Sequence, residues 1–185
     1  TPSDIEAAKA DGNSNDDWEL TRRLCLERGV DAPIEAVTDR FETLYQCTGA
    51  SPGLKMAERS LVEVPTWQRW AARWPLAVVT GRPRSDAVEF LERFALMEDI
   101  TALITREDAP LKPDPAPVLL ALDSMGVRQA WMLGDTPDDL AAARAAGVVP
   151  IGVIAPGDDP AGARERLGRA ARILDKTTDL EEILP

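Results

Sequence analysis

The stretch Trp131-Met132-Leu133-Gly134-Asp135-Thr136-Pro137-Asp138-Asp139-Leu140 decides how the rest of the chain is read. Its apolar start, Ala130 to Leu133, has the length and composition of a strand buried on both faces. Thr136 followed by Pro137 then gives a helix N-cap with proline at the first helical position, and the Ala-rich run Leu140 to Ala146 continues the helix until Gly147 stops it. A strand that feeds a helix through a polar turn is the repeating unit of a parallel sheet covered by helices.

The same unit recurs on either side. Short apolar runs at Leu76 to Thr80, Ala102 to Thr105 and Pro150 to Ile154, with a weaker one at Arg172 to Leu174, read as further strands. Between them Ala87, Val88, Leu91, Phe94 and Ala95 recur at helical spacing, as do Val118, Leu119, Leu122 and Met125. Asp114-Pro115 repeats the cap-and-proline start, and Gly126 ends that helix. The fold class is therefore α/β, a Rossmann-like parallel sheet with helices on both faces.

Residues 1–60 read differently. Helical patterns cover Ser3 to Lys9, Trp18 to Arg28 and Ile34 to Tyr45, Gly29 is a stop, and no strand interrupts them. We expect a small helical cap over 1–60, joined through Ser51-Pro52-Gly53 and an extended stretch Leu61 to Pro65 to an α/β core over 61–185. Trp67, Trp70 and Trp74 then form a stripe that reads as core packing.

Composition narrows the chemistry. The chain has 185 residues, a net charge of −11, two cysteines and no histidine. The charge opposes binding to nucleic acid or anionic membranes, and no apolar run approaches a membrane span. Cys25 and Cys47 are too few for a disulfide framework or a zinc site, so a reducing cytoplasm fits. Without histidine, Ser-His-Asp chemistry is excluded, and carboxylates, Lys, Thr or Ser must do the work.

Three strand ends carry such groups. In Val78-Val79-Thr80-Gly81-Arg82-Pro83, the Thr80 hydroxyl and the Gly81 and Arg82 N–H groups would suit a phosphate oxygen, or simply form a strand-to-helix turn. In Leu111-Lys112-Pro113-Asp114-Pro115, proline pre-positions Lys112, either as a fixed ammonium for phosphoryl transfer or as a solvated loop lysine. After the strand at Ala130, Asp135 and Asp139 are candidate ligands of a hard cation such as Mg2+, Asp139 directly or through water, although Thr136 and Asp139 also have capping-box spacing. Asp138 is assigned to the helix end, where acids interact favourably with the dipole. The polar run Asp11 to Asp17 is either a solvated loop or a cap loop that dips over the site.

The segments VVTGRP, LKPDPAP and MLGDTPDDLAAARAAG together resemble the haloacid dehalogenase superfamily, in the helical-cap subgroup similar to phosphoglycolate phosphatases. The resemblance implies a magnesium-dependent phosphomonoester hydrolase acting on a small phosphorylated metabolite through an aspartyl-phosphate, with no nucleic-acid or membrane partner and no statement about oligomeric state. By that likeness Thr80 binds phosphate, Lys112 stabilises the phospho-intermediate, and Asp135 and Asp139 serve the metal. The family's first motif, a strand ending in Asp-x-Asp that supplies the nucleophile, has no counterpart here. The expectation is an N-terminal truncation that removes a central strand, leaves a hydrophobic slot, and makes the piece inactive and poorly stable alone.

The alternatives are a dehalogenase, which needs no cation; a non-catalytic phosphate-binding or regulatory module; and a dinucleotide-binding domain. The last is opposed by the lack of G-x-G-x-x-G or Walker-type loops.

Overall fold

The computed structural model describes residues 2–10, 12, 15–46 and 53–184. Three helices come first, α1 (Pro2–Ala10), α2 (Asp17–Glu27) and α3 (Ile34–Gln46), followed by a 3-10 turn at Leu54–Ala57 and α4 (Val64–Ala71). From there strands and helices alternate: β1 (Ala77–Val79), α5 (Arg84–Arg93), β2 (Ala102–Ile104), α6 (Ala116–Met125), β3 (Trp131–Gly134), α7 (Pro137–Ala145), β4 (Val149–Val153), α8 (Pro160–Arg166) and β5 (Arg172–Leu174). Cys47 and the Ser51-Pro52 part of the expected linker lie outside the described residues, as do Asp11, Asn13 and Ser14 of the polar run.

All the pairings are parallel: β1 with β2, and β3 with β4 and β4 with β5. Adjacent residues of β3 point to opposite faces, which shows how the sheet is covered. Met132 packs with Val118 and Leu122 of α6 and Ala142 and Ala143 of α7. Leu133, with Ile151 opposite it on β4, packs with Trp67, Trp70, Trp74 and Leu180. The tryptophan stripe is therefore core, as its spacing indicates, with Trp70 only 5% exposed.

The sheet is in two pieces. Among the described residues no backbone pairing links β1 to β3. The exposure profile follows that division: β1 is half-buried throughout and Trp131 of β3 is exposed, whereas β4 from Pro150 to Val153 is buried.

Local signals place most boundaries. Thr136 caps α7 with a full capping box to Asp139, and Gly126 closes α6 in the left-handed region at φ 67°. Two boundaries differ from expectation. The stretch Leu61 to Pro65 is not extended to its end, because Pro65 is accommodated in the first turn of α4, where a missing N–H costs no hydrogen bond. Asp114 is not the N-cap of α6; that place falls to Pro115, although the Asp114 carboxylate still accepts from the Ala116 N–H at 2.8 Å.

Ion pairs join the early helices to the rest. Asp16 caps α2 through one oxygen, accepting from the Trp18 and Glu19 N–H groups, and with the other accepts from Arg106 at 2.8 Å. Glu58 receives both Arg82 and Arg93, and Lys55 reaches Glu89.

Trp70→Ala should destabilise the protein by about 3–5 kcal/mol in urea unfolding, the usual cost of a large core deletion. Trp70→Phe should cost much less, because the buried indole N–H of Trp70 finds no acceptor among the described residues and its loss removes no hydrogen bond.

A second expectation concerns Asp108, whose carboxylate accepts from Arg84 and from both the N–H and the hydroxyl of buried Thr105. These donors, Arg84 first, hold its pKa at about 2 against an ordinary 3.8. A depressed carboxylate stabilises above its unfolded pKa and loses that contribution as pH falls through the folded value. The gap in urea midpoint between wild type and Asp108→Asn should therefore be widest near neutral pH and narrow steadily below about pH 4.

Candidate active site

The carboxyl ends of β1 and β3 are brought together by Lys112. Its ammonium donates to the Val79 carbonyl at the end of β1 at 3.2 Å and to Asp139 Oδ1 at the start of α7 at 2.6 Å. Both side chains are buried, at 9% and 6% exposure. Lys112 is thus a fixed ammonium and not a solvated loop lysine. An ammonium has three donors, and the third has no partner among the described residues.

Both oxygens of Asp139 accept hydrogen bonds. Oδ2 accepts from the Thr136 N–H at 3.1 Å and the Thr136 hydroxyl at 2.7 Å, while Oδ1 takes Lys112. Asp135, half-buried at the end of β3, stands just before this knot. Among the described residues no three acidic, His or Cys side chains gather around one point. Magnesium needs few protein oxygens because it keeps several waters and binds substrate phosphate, so the donor set is compatible with it through Asp135.

Two glycines make the geometry possible. A Cβ built on Gly134 would lie 2.1 Å from the Asp139 Cβ, so the Asp139 side chain packs where any larger residue would stand. A Cβ on Gly81 would lie 2.3 Å from the Asn15 carbonyl oxygen. Neither requirement involves a positive φ; both are matters of space. Gly134 was not among the candidate residues, and the signal that could have found it is its position between a strand and a carboxylate-bearing turn.

The turn after β1 is organised by Thr80. Its N–H donates to the Ile104 carbonyl on β2, and its hydroxyl accepts from the Arg82 N–H at 3.2 Å. The Arg82 side chain turns away from Lys112, towards Tyr45 and Glu58 at 3.2 and 2.8 Å. Burial, together with the hydrogen bond to Glu58, pushes the Tyr45 phenol well above its ordinary pKa despite the opposing Arg82 charge.

The described part of the polar run does dip onto this site. Asn15 Nδ2 donates to Asp138 Oδ2 at 3.0 Å, and a Cβ on Gly12 would meet Asp138 Oδ1 at 3.1 Å. Asp138, buried in the first turn of α7, therefore holds the loop as well as the helix end.

Residues 71–153 match the family model of haloacid dehalogenase-like hydrolases, a span that contains Thr80, Lys112, Asp135 and Asp139. Over residues 71–153 the chain is thus similar to haloacid dehalogenase-like hydrolases. An imidazoleglycerol-phosphate dehydratase from Phytophthora nicotianae is 44% identical over 164 residues, 84% of this chain and 36% of that protein. A phosphoglycolate phosphatase from Rhodospirillum rubrum is 45% identical over 76 residues, 40% of this chain and 32% of that protein. The chain thus spans about a third of the length of these curated relatives. Among solved structures, one described as a predicted phosphoglycolate phosphatase from Haemophilus somnus superposes with a TM-score of 0.67 over 96% of this chain and 81% of that one, at 19% identity. That likeness is one of fold.

The Lys112–Asp139 pair should behave as one unit. Removing one partner of a buried pair leaves an uncompensated charge and costs about 3–5 kcal/mol, so Lys112→Met alone should be strongly destabilising. Lys112→Met combined with Asp139→Leu should cost clearly less than the two single changes together, as measured by a double-mutant cycle in urea.

Proposed function

We propose that the protein is a magnesium-dependent phosphomonoester hydrolase acting on a small phosphorylated metabolite in the cytoplasm, the helices over 1–60 serving as its cap and 61–185 as its core. The observation that carries this reading is the buried Lys112 ammonium, held by Val79 and Asp139 with one donor uncommitted, at the strand ends where Thr80 and Asp135 also stand. Such a preorganised charge is what a transferring phosphoryl group requires, because the ammonium costs no reorganisation when negative charge gathers on the equatorial oxygens. The name of the Rhodospirillum rubrum relative points the same way, since a phosphoglycolate phosphatase acts on a small phosphate ester.

In this reading Thr80 and the Gly81 N–H hold phosphate oxygens, Lys112 neutralises the group in flight, and Asp139 serves chiefly to fix Lys112. Arg82 contributes its turn to the phosphate site, while its side chain belongs to the cap-facing wall. Asp135 would hold Mg2+, which when bound offsets charge on the phosphate. The nucleophile is an aspartate on a further strand lying between β1 and β3. Its carboxylate attacks phosphorus, the ester P–O bond breaks to release the alcohol, and water then cleaves the aspartyl-phosphate to inorganic phosphate. Supporting that placement, the sheet is divided there and the flanking strands are less buried than β4.

In the full-length protein, Asp135→Asn should lower magnesium-dependent phosphate release by roughly a hundredfold or more, followed with a panel of phosphate esters. Unchanged turnover would remove Asp135 from the metal site. Phosphate binding without turnover in the wild-type protein would favour a non-catalytic binding module.

A further inference from the structure

A shallow cleft, open to solvent, lies beside the phosphate-side turn and is lined by Gly81 and Arg82 together with Trp18, Phe41, Glu42, Tyr45, Asp86 and Arg106. Gly81 and Arg82 directly follow Thr80, so the cleft begins where a bound phosphate ester would direct its alcohol portion.

Its charge balance is uneven. Both guanidiniums are already paired: Arg106 with Asp16 at 2.8 Å and flat on Trp18 at 4.0 Å, Arg82 with Glu58 at 2.8 Å and also near Asp17. Lys55 and Arg93, in the adjoining hollow, are paired with Glu89 and Glu58.

Glu42 and Asp86, in contrast, accept hydrogen bonds only from uncharged donors among the described residues. Glu42 accepts from the Trp18 indole at 3.0 Å and from Gln46 at 3.1 Å. Asp86 accepts from the same Gln46 nitrogen at 2.8 Å. Two carboxylates are thus close neighbours with a single amide nitrogen between them, an arrangement that a nearby positive charge stabilises. Asp86 is only 9% exposed, and its Oδ2 accepts no hydrogen bond among the described residues. Its place in the first turn of α5 is favourable for an anion but supplies no partner for that oxygen.

We infer that this cleft selects phosphate esters whose alcohol portion carries a positive charge, an ammonium group seated against Glu42 and Asp86 in a cleft that Trp18, Phe41 and Tyr45 also line. An ester with a second anionic group meets two carboxylates there, and the neighbouring guanidiniums are already ion-paired with Glu58 and Asp16, so it is disfavoured. Aromatic faces add to the attraction for a cation. The inference rests on the phosphatase reading for the direction in which the substrate lies, but the cleft's charge preference can be tested separately from turnover.

The experiment compares 2-aminoethyl phosphate, ethyl phosphate and carboxymethyl phosphate with the full-length protein. Both kcat/KM and binding in the absence of magnesium are measured, the latter by tryptophan fluorescence, since Trp18 lines the cleft. The amine should be preferred over the carboxylate by roughly tenfold or more, the scale of one charge reversal in a partly solvated site. That ratio should fall to within about threefold in Asp86→Asn and Glu42→Gln, a loss of relative preference that general unfolding, which lowers all three esters alike, would not give. Hydrolysis indifferent to charge, or favouring the carboxylate, overturns the inference and leaves the phosphatase reading standing. Preferential binding of the amine without any hydrolysis upholds the inference and removes the phosphatase reading; charge-blind binding without hydrolysis removes both.

Discussion

The arrangement depends on one buried ion pair. Lys112 and Asp139 come from segments separated by β3 and α6, and their contact fixes the loop after β2 against the start of α7 and the end of β1. A buried pair of this kind is poor value as a stabiliser, because desolvating both ions offsets much of their attraction. It persists here because each ion has a further partner: Asp139 also receives Thr136, and Lys112 also reaches the Val79 carbonyl. What the pair gives is position. A lysine on a free loop would have to be ordered at the moment of reaction, whereas this one is ordered by the fold.

Space, more than charge, permits the contact. Asp139 can lean over the end of β3 because residue 134 has no side chain, and the Asn15 loop can rest on the turn after Thr80 because residue 81 has none. The two glycines therefore act alike at the two strand ends, one admitting a side chain of the core and the other a backbone carbonyl from the helical segment. In both cases an added methyl would collide with something the site needs, so the constraint is local and severe.

Much of this was legible in sequence because it is written in short-range chemistry. The strand runs, the Thr136-Pro137 start and the glycine stops each act over a few residues, and the structure places them within a residue or two. What was not legible depends on contacts between distant segments. Nothing near Arg82 reveals that its side chain turns to Tyr45 and Glu58, and nothing near Asp139 reveals that its oxygens are taken up by Thr136 and Lys112. The spacing of Asp135 and Asp139 suggests a shared cation, yet the fold gives Asp139 an ammonium of its own. Likewise Asp138 reads as a helix-end acid, and only the approach of Asn15 shows that it also anchors a loop.

The same logic separates the two kinds of positive charge in the molecule. A protein with a net charge of −11 repels anions at long range, so cations meant for a phosphate must be few, buried and uncommitted. Lys112 meets that requirement through its third donor. Arg82 and Arg106 meet it less well, for their side chains are 40% and 21% exposed and each is paired with a carboxylate of the first 60 residues. Arginine suits that task, since its planar fork can hold a carboxylate while its face lies on an aromatic ring, as Arg106 does on Trp18. The division of labour leaves the cleft wall with an excess of carboxylate at Glu42 and Asp86, directly beside the proposed phosphate site. A ligand bearing both charges would satisfy both ends at once, whereas one that is anionic throughout would satisfy only the first.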